Sequence, residues 1–235
     1  MAGHRGAKGT APENTIASFM RAAELGVRFV ELDVNLAGSG EIVVFHDYTL
    51  DRCTNGSGAL RTTHYSVLET LDAGSHFSGQ FLGEKIPLFR ELIPLLDEFG
   101  MGVNVEIKSQ TGNEKETVDH TIDILRKHWP RNMPLLLSSF NESVMQRIAE
   151  VAGEFSRGWL VEDVPDNWQR KLQEFGAVSL HAEDEPLQKH QVDAIHAQGY
   201  PVLVYTVNKR DRAEELLEWG VACVISDFPE RLQGV

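Results

Sequence analysis

Cysteine is nearly absent from this chain: Cys53 and Cys223 are the only two, they lie far apart, and no Cys-x-x-Cys spacing occurs. A disulfide framework and a thiolate metal site are therefore not expected, and reducing, cytoplasmic conditions fit best. Positive charge is scarce as well. The 22 Lys and Arg face 35 Asp and Glu, a formal net charge of −13 at pH 7, so nucleic acids and anionic bilayers, which bind through basic surface fields, are poor partners. No uncharged stretch approaches the roughly 18 residues of a transmembrane helix, and the opening MAGHRGAKGT carries no apolar signal core. A Gly-rich phosphate fingerprint after an early strand is also missing, which argues against an open doubly wound sheet. What is left is a chain expected to be soluble, whose 235 residues suffice for one sizeable core, with room for a local cationic site that takes a small anion.

Short runs rich in Val, Ile and Leu alternate with longer amphipathic segments, the pattern of repeated βα units around a parallel sheet. Strands are predicted at 1–4, 28–35, 103–108, 134–138, 155–160, 177–181, 201–206 and 222–226. Helices are predicted at 13–25, 88–99, 114–128, 141–151, 166–174, 188–198 and 209–219, several stopping at Gly26, Gly100, Gly199 or Gly220. Eight such strands indicate an α/β fold, a TIM (β/α)8 barrel spanning residues 1–235 as a single domain. From about 48 to 85 the chain is rich in Gly, Ser and Thr and too long for an ordinary βα connection. This segment reads as an insertion after the second strand, either a lid or pocket wall on the catalytic face, or a structural excursion that caps the barrel.

In RFVELDVNL, Phe29, Glu31, Asp33 and Asn35 share one strand face while Val30, Leu32 and Val34 share the other. The apolar face suits packing on helices, which turns both carboxylates into the barrel near the strand's C-terminal end, where TIM-barrel active sites lie. VNVEIK repeats the pattern, with Asn104, Glu106 and Lys108 inward. An isolated Glu-x-Asp is often only a solvated strand end. Three acids delivered by neighbouring strands are different, because desolvated carboxylates repel unless a cation or protons compensate. All-oxygen ligation favours one divalent cation, Mg²⁺ or Ca²⁺, with Mn²⁺ as an alternative, over Zn²⁺. His4 ends the first strand and His46 ends the run IVVFH, each at the expected mouth, and imidazoles titrate near neutrality, as acid–base work requires. Arg5 and Lys108 supply fixed positive charge for a phosphoryl group, or ion pairs with the same acids. His64, His76, His120, His128, His190 and His196 lack such a pattern and read as packing or capping residues. His181, Tyr205 and Phe77 are placed in the pocket wall by their positions near strand ends or in the insertion.

The ordered motifs HRG (4–6), APENT (11–15), ELD (31–33), FHD (45–47), VEIK (105–108), LLSSF (136–140), YTVN (205–208) and SDFP (226–229), with LDAGSHFSGQFLGEKIPLF in the insertion, resemble the glycerophosphodiester phosphodiesterase family nearly end to end. The likeness is to its small cytosolic bacterial members, which share a VSxH stretch like 178–181. The resemblance implies a TIM barrel with an insertion after the second strand. It implies hydrolysis of glycerophosphodiesters, such as glycerophosphocholine and glycerophosphoethanolamine, to an alcohol and sn-glycerol 3-phosphate. It also implies metal ligation by Glu31, Asp33 and Glu106, acid–base catalysis by His4 and His46, and phosphate contacts from Arg5 and Lys108. Attack by the glycerol 2-hydroxyl through a cyclic phosphate, or directly by water, stays open. The partner implied is the small-molecule diester, with no nucleic acid and no membrane insertion; a homodimer stays open. Only Met1, Ala2 and Gly3 precede His4, so either the natural start lies upstream or the barrel closes on a very short first strand. An amidohydrolase would open with His-x-His, which HRG lacks. A lysophospholipase would need an apolar or basic face, and a mere carrier would have no use for a proton-transfer pair.

Overall fold

The computed structural model of the protein describes residues 1–234, and the last residue of the expected domain lies outside them. The elements run β1 (Ala2–Gly3), α1 (Ile16–Glu24), β2 (Phe29–Leu36), β3 (Ile42–Val44), α2 (Tyr65–Leu68), α3 (Phe89–Glu98), β4 (Gly102–Ile107), α4 (Glu114–His128) and β5 (Leu135–Ser139). They continue with α5 (Glu142–Val151), β6 (Arg157–Val161), α6 (Trp168–Phe175), β7 (Ser179–Glu183), α7 (Lys189–Ala197), β8 (Val202–Tyr205), α8 (Arg210–Glu218) and β9 (Cys223–Ser226). Apart from β3, each strand runs parallel to its neighbours in the order β1-β2-β4-β5-β6-β7-β8-β9, and β9 pairs back onto β1 to close a TIM barrel. Val30, Leu32 and Val34 of β2 and Val103, Val105 and Ile107 of β4 are fully buried against the helices. The intervening residues of both strands therefore face the barrel axis, as period-two alternation requires. In register, Glu31 stands beside Asn104 and Asp33 beside Glu106.

The first strand is two residues long and is positioned by its neighbours: Gly3 pairs with Val30 and Ser226, and His4 N–H donates to the Ser226 carbonyl at 2.8 Å. This shortness leaves one edge of β2 open beyond Val30, since β4 occupies the other edge as far as Val34. The apolar run at 42–44 takes that edge as the antiparallel β3, pairing Val34 with Val44 and Leu36 with Ile42. The excursion from the barrel thus opens before residue 48, and it is a packed unit. Val43, Phe45, Leu50, Cys53, Leu60, Leu68, Ile86 and Leu88 form a second apolar core of its own. The Asp72 carboxylate ties the insertion's distal turn together by accepting backbone N–H bonds from Gly74, Ser75 and Gly83 at 2.9, 2.7 and 2.6 Å.

Most predicted helices agree with the observed ones to within one or two residues at each end. The exception is the first, expected from 13 and found from Ile16. Thr15 caps it, its side chain accepting from Ser18 N–H. Asn14 adopts φ +58°, a left-handed conformation outside any helix. The freed Glu13 and Asn14 side chains turn to the barrel mouth.

Candidate active site

Strand β1 ends in a tight turn that builds one wall of the site. Arg5 has φ +49° and Gly6 φ +88°. A side chain at Gly6 would meet Ser18 Oγ at 2.5 Å, so the glycine of HRG allows α1 to approach. The strained Arg5 backbone is held on both sides: its N–H donates to Glu31 Oε2 at 3.0 Å, and its carbonyl accepts from Ser18 Oγ at 2.8 Å and Asn14 N–H at 3.1 Å.

Glu31, Asp33 and Glu106 converge as the alternation demands. One carboxylate oxygen from each lies within 4.8 Å of the others, and all three residues are buried. Asp33 Oδ2 accepts from Asn14 Nδ2 at 2.8 Å and lies 3.2 Å from Arg5 Nε. Glu106 Oε1 is 2.5 Å from Lys108 Nζ. Two oxygens are left over. Glu31 Oε1 is buried without a partner, and Asp33 Oδ1 is 3.4 Å from Lys108 Nζ but without hydrogen-bond alignment. Orphaned anionic oxygens cost several kcal/mol in a protein interior. A hard cation held by these two oxygens together with Glu106 would compensate them, so this donor set fits a divalent ion. The acids titrate apart. Burial, followed by the neighbouring Asp33 and Glu106 charges, drives Glu31 well above the carboxylate range. Burial would raise Asp33 too, but Arg5 and Lys108 outweigh it and hold Asp33 far below.

Both histidines line the same large cavity, of about 1260 Å³, and both are held at Nδ1 by an aspartate. His4 Nδ1 is 2.6 Å from Asp227 Oδ1, and His46 Nδ1 is 2.6 Å from Asp47 Oδ1. That arrangement fixes each ring and leaves Nε2 for the cavity. Burial lowers both imidazole pKa values below 6.5 despite these carboxylates. Asp227, itself raised by burial but bonded to His4, sits at about 2. Arg5 and Lys108 reach the cavity on the side of the acids.

Of the expected wall residues, Tyr205 lines the cavity, with its ring against Phe140 and its hydroxyl donating to the Val161 carbonyl at 2.8 Å. His181 and Phe77 are not brought to it. Phe77 packs on Phe81 in the outer insertion. His181 does point along the inward face of β7, but it is fully buried among Ser179 and Gly158, and Glu183, two residues further on, takes the place at the mouth. Burial holds the His181 imidazole at about 3 against an ordinary 6.5. The unfolded chain therefore binds a proton at mildly acid pH that the folded one refuses, and stability falls as pH drops below 6.5. Between pH 7 and 4.5 this histidine alone removes about 2–3 kcal/mol. Urea unfolding of His181→Gln at the two pH values is expected to show a loss smaller than the parent's by that amount; parallel curves would refute it.

Sequence reasoning gave no role to Asp227, Glu13, Asn14 and Arg52, all of which touch the residues above. Asp227 had a usable signal: in a closed barrel the last strand neighbours the first, so the end of β9 faces His4.

Buried acids, paired imidazoles and cations at the C-terminal mouth of a (β/α)8 barrel define an enzyme of the phosphate-ester hydrolase class. Comparison with known proteins agrees. Residues 4–231 match the glycerophosphoryl diester phosphodiesterase family. A glycerophosphodiester phosphodiesterase of Caldanaerobacter subterraneus is 34% identical over 97% of this chain and 94% of its own. A phosphodiesterase of Oleispira antarctica, solved with the product sn-glycerol-3-phosphate, is 39% identical with a TM-score of 0.97, over 99% of this chain and 94% of that one. The Thermotoga maritima glycerophosphodiester phosphodiesterase superposes with a TM-score of 0.78 at 26% identity, over 98% and 95% of the two chains. The chain belongs to the glycerophosphoryl diester phosphodiesterase family, and it is a glycerophosphodiester phosphodiesterase.

Proposed function

We propose that residues 1–235 act as one catalytic domain in the cytoplasm. They hydrolyse small glycerophosphodiesters, such as glycerophosphocholine and glycerophosphoethanolamine, to the head-group alcohol and sn-glycerol 3-phosphate. Glu31, Asp33 and Glu106 hold one divalent cation, Mg²⁺ or Ca²⁺ with Mn²⁺ able to substitute. The observation that carries this reading is the orphaned Glu31 Oε1 and Asp33 Oδ1 beside Glu106, with two histidines lining the cavity that Glu31 and Glu106 also line. The product bound by the Oleispira relative supports the glycerol 3-phosphate side of the substrate. When bound, the cation neutralises charge that builds on the phosphoryl oxygens. Arg5 and Lys108 grip the same oxygens and, before substrate arrives, neutralise Asp33 and Glu106. One imidazole, kept neutral by burial and held at Nδ1 by its carboxylate, takes the proton of the attacking hydroxyl at Nε2; the other must first take up a proton at Nε2 to give it to the departing alkoxide, its aspartate offsetting the imidazolium charge. No helix among the described residues is long and apolar enough to cross a membrane, in keeping with a water-soluble diester as substrate.

The test is a titration of chelator-treated enzyme with Mg²⁺, Ca²⁺ and Mn²⁺ at saturating glycerophosphocholine, following choline and sn-glycerol 3-phosphate together. Activity is expected to return in proportion to bound ion, with the two products in equal amounts. Full turnover in excess chelator would overturn the metal assignment, and release of phosphocholine with glycerol would overturn the choice of scissile bond.

A further inference from the structure

We propose that Arg52, a half-exposed residue of the insertion, is a positioning residue that fixes His46 and Arg5 at the same time; this rests on the reading above that those two groups act on the diester. Its guanidinium makes four charge-assisted hydrogen bonds to two carboxylates. Nε and Nη2 donate to Asp47 Oδ2 and Oδ1 at 2.7 and 2.8 Å, and Nη1 and Nη2 donate to Glu13 Oε2 and Oε1 at 2.8 and 2.7 Å. Each carboxylate passes the constraint inward. Asp47 Oδ1 is also the atom 2.6 Å from His46 Nδ1, and Glu13 Oε1 is also the acceptor of Arg5 Nη1 at 2.6 Å. Among the described residues neither acid has a side-chain partner besides these.

An exposed ion pair ordinarily contributes little, because mobile side chains lose entropy and water screens them. Arg52 differs in two ways. Its partners' side chains are only 6% and 19% exposed, so they lack the water that would otherwise orient them. Its own backbone is mounted between the buried Leu50 and Cys53 of the insertion's core. The planar guanidinium can grip two carboxylates through paired donors, which a lysine ammonium cannot do. The insertion therefore delivers a rigid fork to two barrel loops, one bearing a proton-transfer group and the other a phosphate-binding group.

The test uses the metal-loaded enzyme and glycerophosphocholine, with thermal unfolding as a control on folding. Arg52→Ala is expected to lower kcat about 10–100-fold through His46, a part of the roughly 10²–10⁴ that acid–base catalysis supplies, and to raise KM several-fold through Arg5. Asp47→Asn is expected to reproduce the kcat effect and Glu13→Gln the KM effect. Combining Arg52→Ala with Asp47→Asn should add little to the kcat loss of either, since the two act through one chain of contacts. Millimolar guanidinium should restore the Ala variant but not Asp47→Asn, and Arg52→Lys should recover only part of the loss. Both constants within two-fold of the parent in Arg52→Ala would overturn the proposal. So would additive kcat losses in the double variant, or a loss that guanidinium does not relieve and that tracks a lowered unfolding temperature. His46→Ala and Arg5→Ala separate the levels: if they keep full turnover the underlying reading fails, and if they are impaired while Arg52→Ala is normal only this inference fails.

Discussion

Glu31→Gln is expected to reduce turnover by at least 10³-fold and, in the same protein, to remove the stabilisation that divalent ions give the parent. Glu31 Oε2 is satisfied by the Arg5 N–H and lies 3.8 Å from His4 Nε2, whereas Oε1 is buried with nothing bonded to it; the charges acting on Glu31 are Asp33 and Glu106, which repel it, and Arg5, which is already paired with Asp33. Glutamine keeps the shape and can still accept from Arg5, but it withdraws negative charge that the proposed site for a hard cation requires. At a pH high enough to ionise Glu31, the metal-free variant should consequently be more stable than the metal-free parent, because one buried charge and its repulsions are gone. In the parent, an ion at 100 times its Kd contributes about 2.7 kcal/mol, or about 5–10 °C in Tm for a chain of this length. Thermal scans with and without Mg²⁺ or Ca²⁺ read both effects. A full ion-induced shift in Glu31→Gln would remove Glu31 from the ligand set.

The pH dependence has a definite sign. Because burial and the adjacent acids raise the Glu31 pKa in the folded state, the metal-free fold binds more protons than the unfolded chain above pH 4.5, and its stability from this group is lost as pH rises. The proposed ligation would need the ionised form, so an ion would displace that proton and its apparent affinity is expected to tighten with rising pH. The two trends oppose each other and identify the same carboxyl.

The triad was legible because strand alternation is unforgiving. Once Val30, Leu32 and Val34 pack outward, Glu31 and Asp33 cannot avoid the axis, and VNVEIK on the adjacent strand follows the same rule. Position near a strand end gives no depth, and His181, placed in the pocket wall on that ground, lies beneath Glu183. A three-residue apolar run such as 42–44 carries no mark of its partner, and its place depended on β1 being too short to cover β2. Two of the contacts that orient the working groups were harder still. Asp227 meets His4 across 223 residues because the barrel closes, and Arg52 meets Glu13 across 39 because the insertion folds back on its own core. Such contacts are set by the path of the chain, and no local spacing encodes them.

His4→Ala and His46→Ala are each expected to lower kcat by about 10²–10⁴ with little change in metal affinity, the usual span of acid–base catalysis. The subtler variant is Asp227→Asn. Its carboxylate accepts the proton of His4 Nδ1, and this bond, with the Asp227 charge, is what raises the His4 pKa against the stronger opposing effect of burial. Asparagine keeps the size and can keep its Asn208 partner, yet it withdraws that charge and can present a donor to Nδ1, which favours the wrong tautomer at Nε2. The kcat of Asp227→Asn should therefore fall toward that of His4→Ala, and the limb of the pH–rate profile that belongs to His4 should move to lower pH. Asp47→Asn should move the other limb and leave the His4 limb in place. Profiles of kcat/KM for the parent and both Asn variants, from pH 5 to 9, measure this directly. If both variants shift the same limb, or if His4→Ala retains near-normal kcat, the two imidazoles do not divide the proton transfers between them.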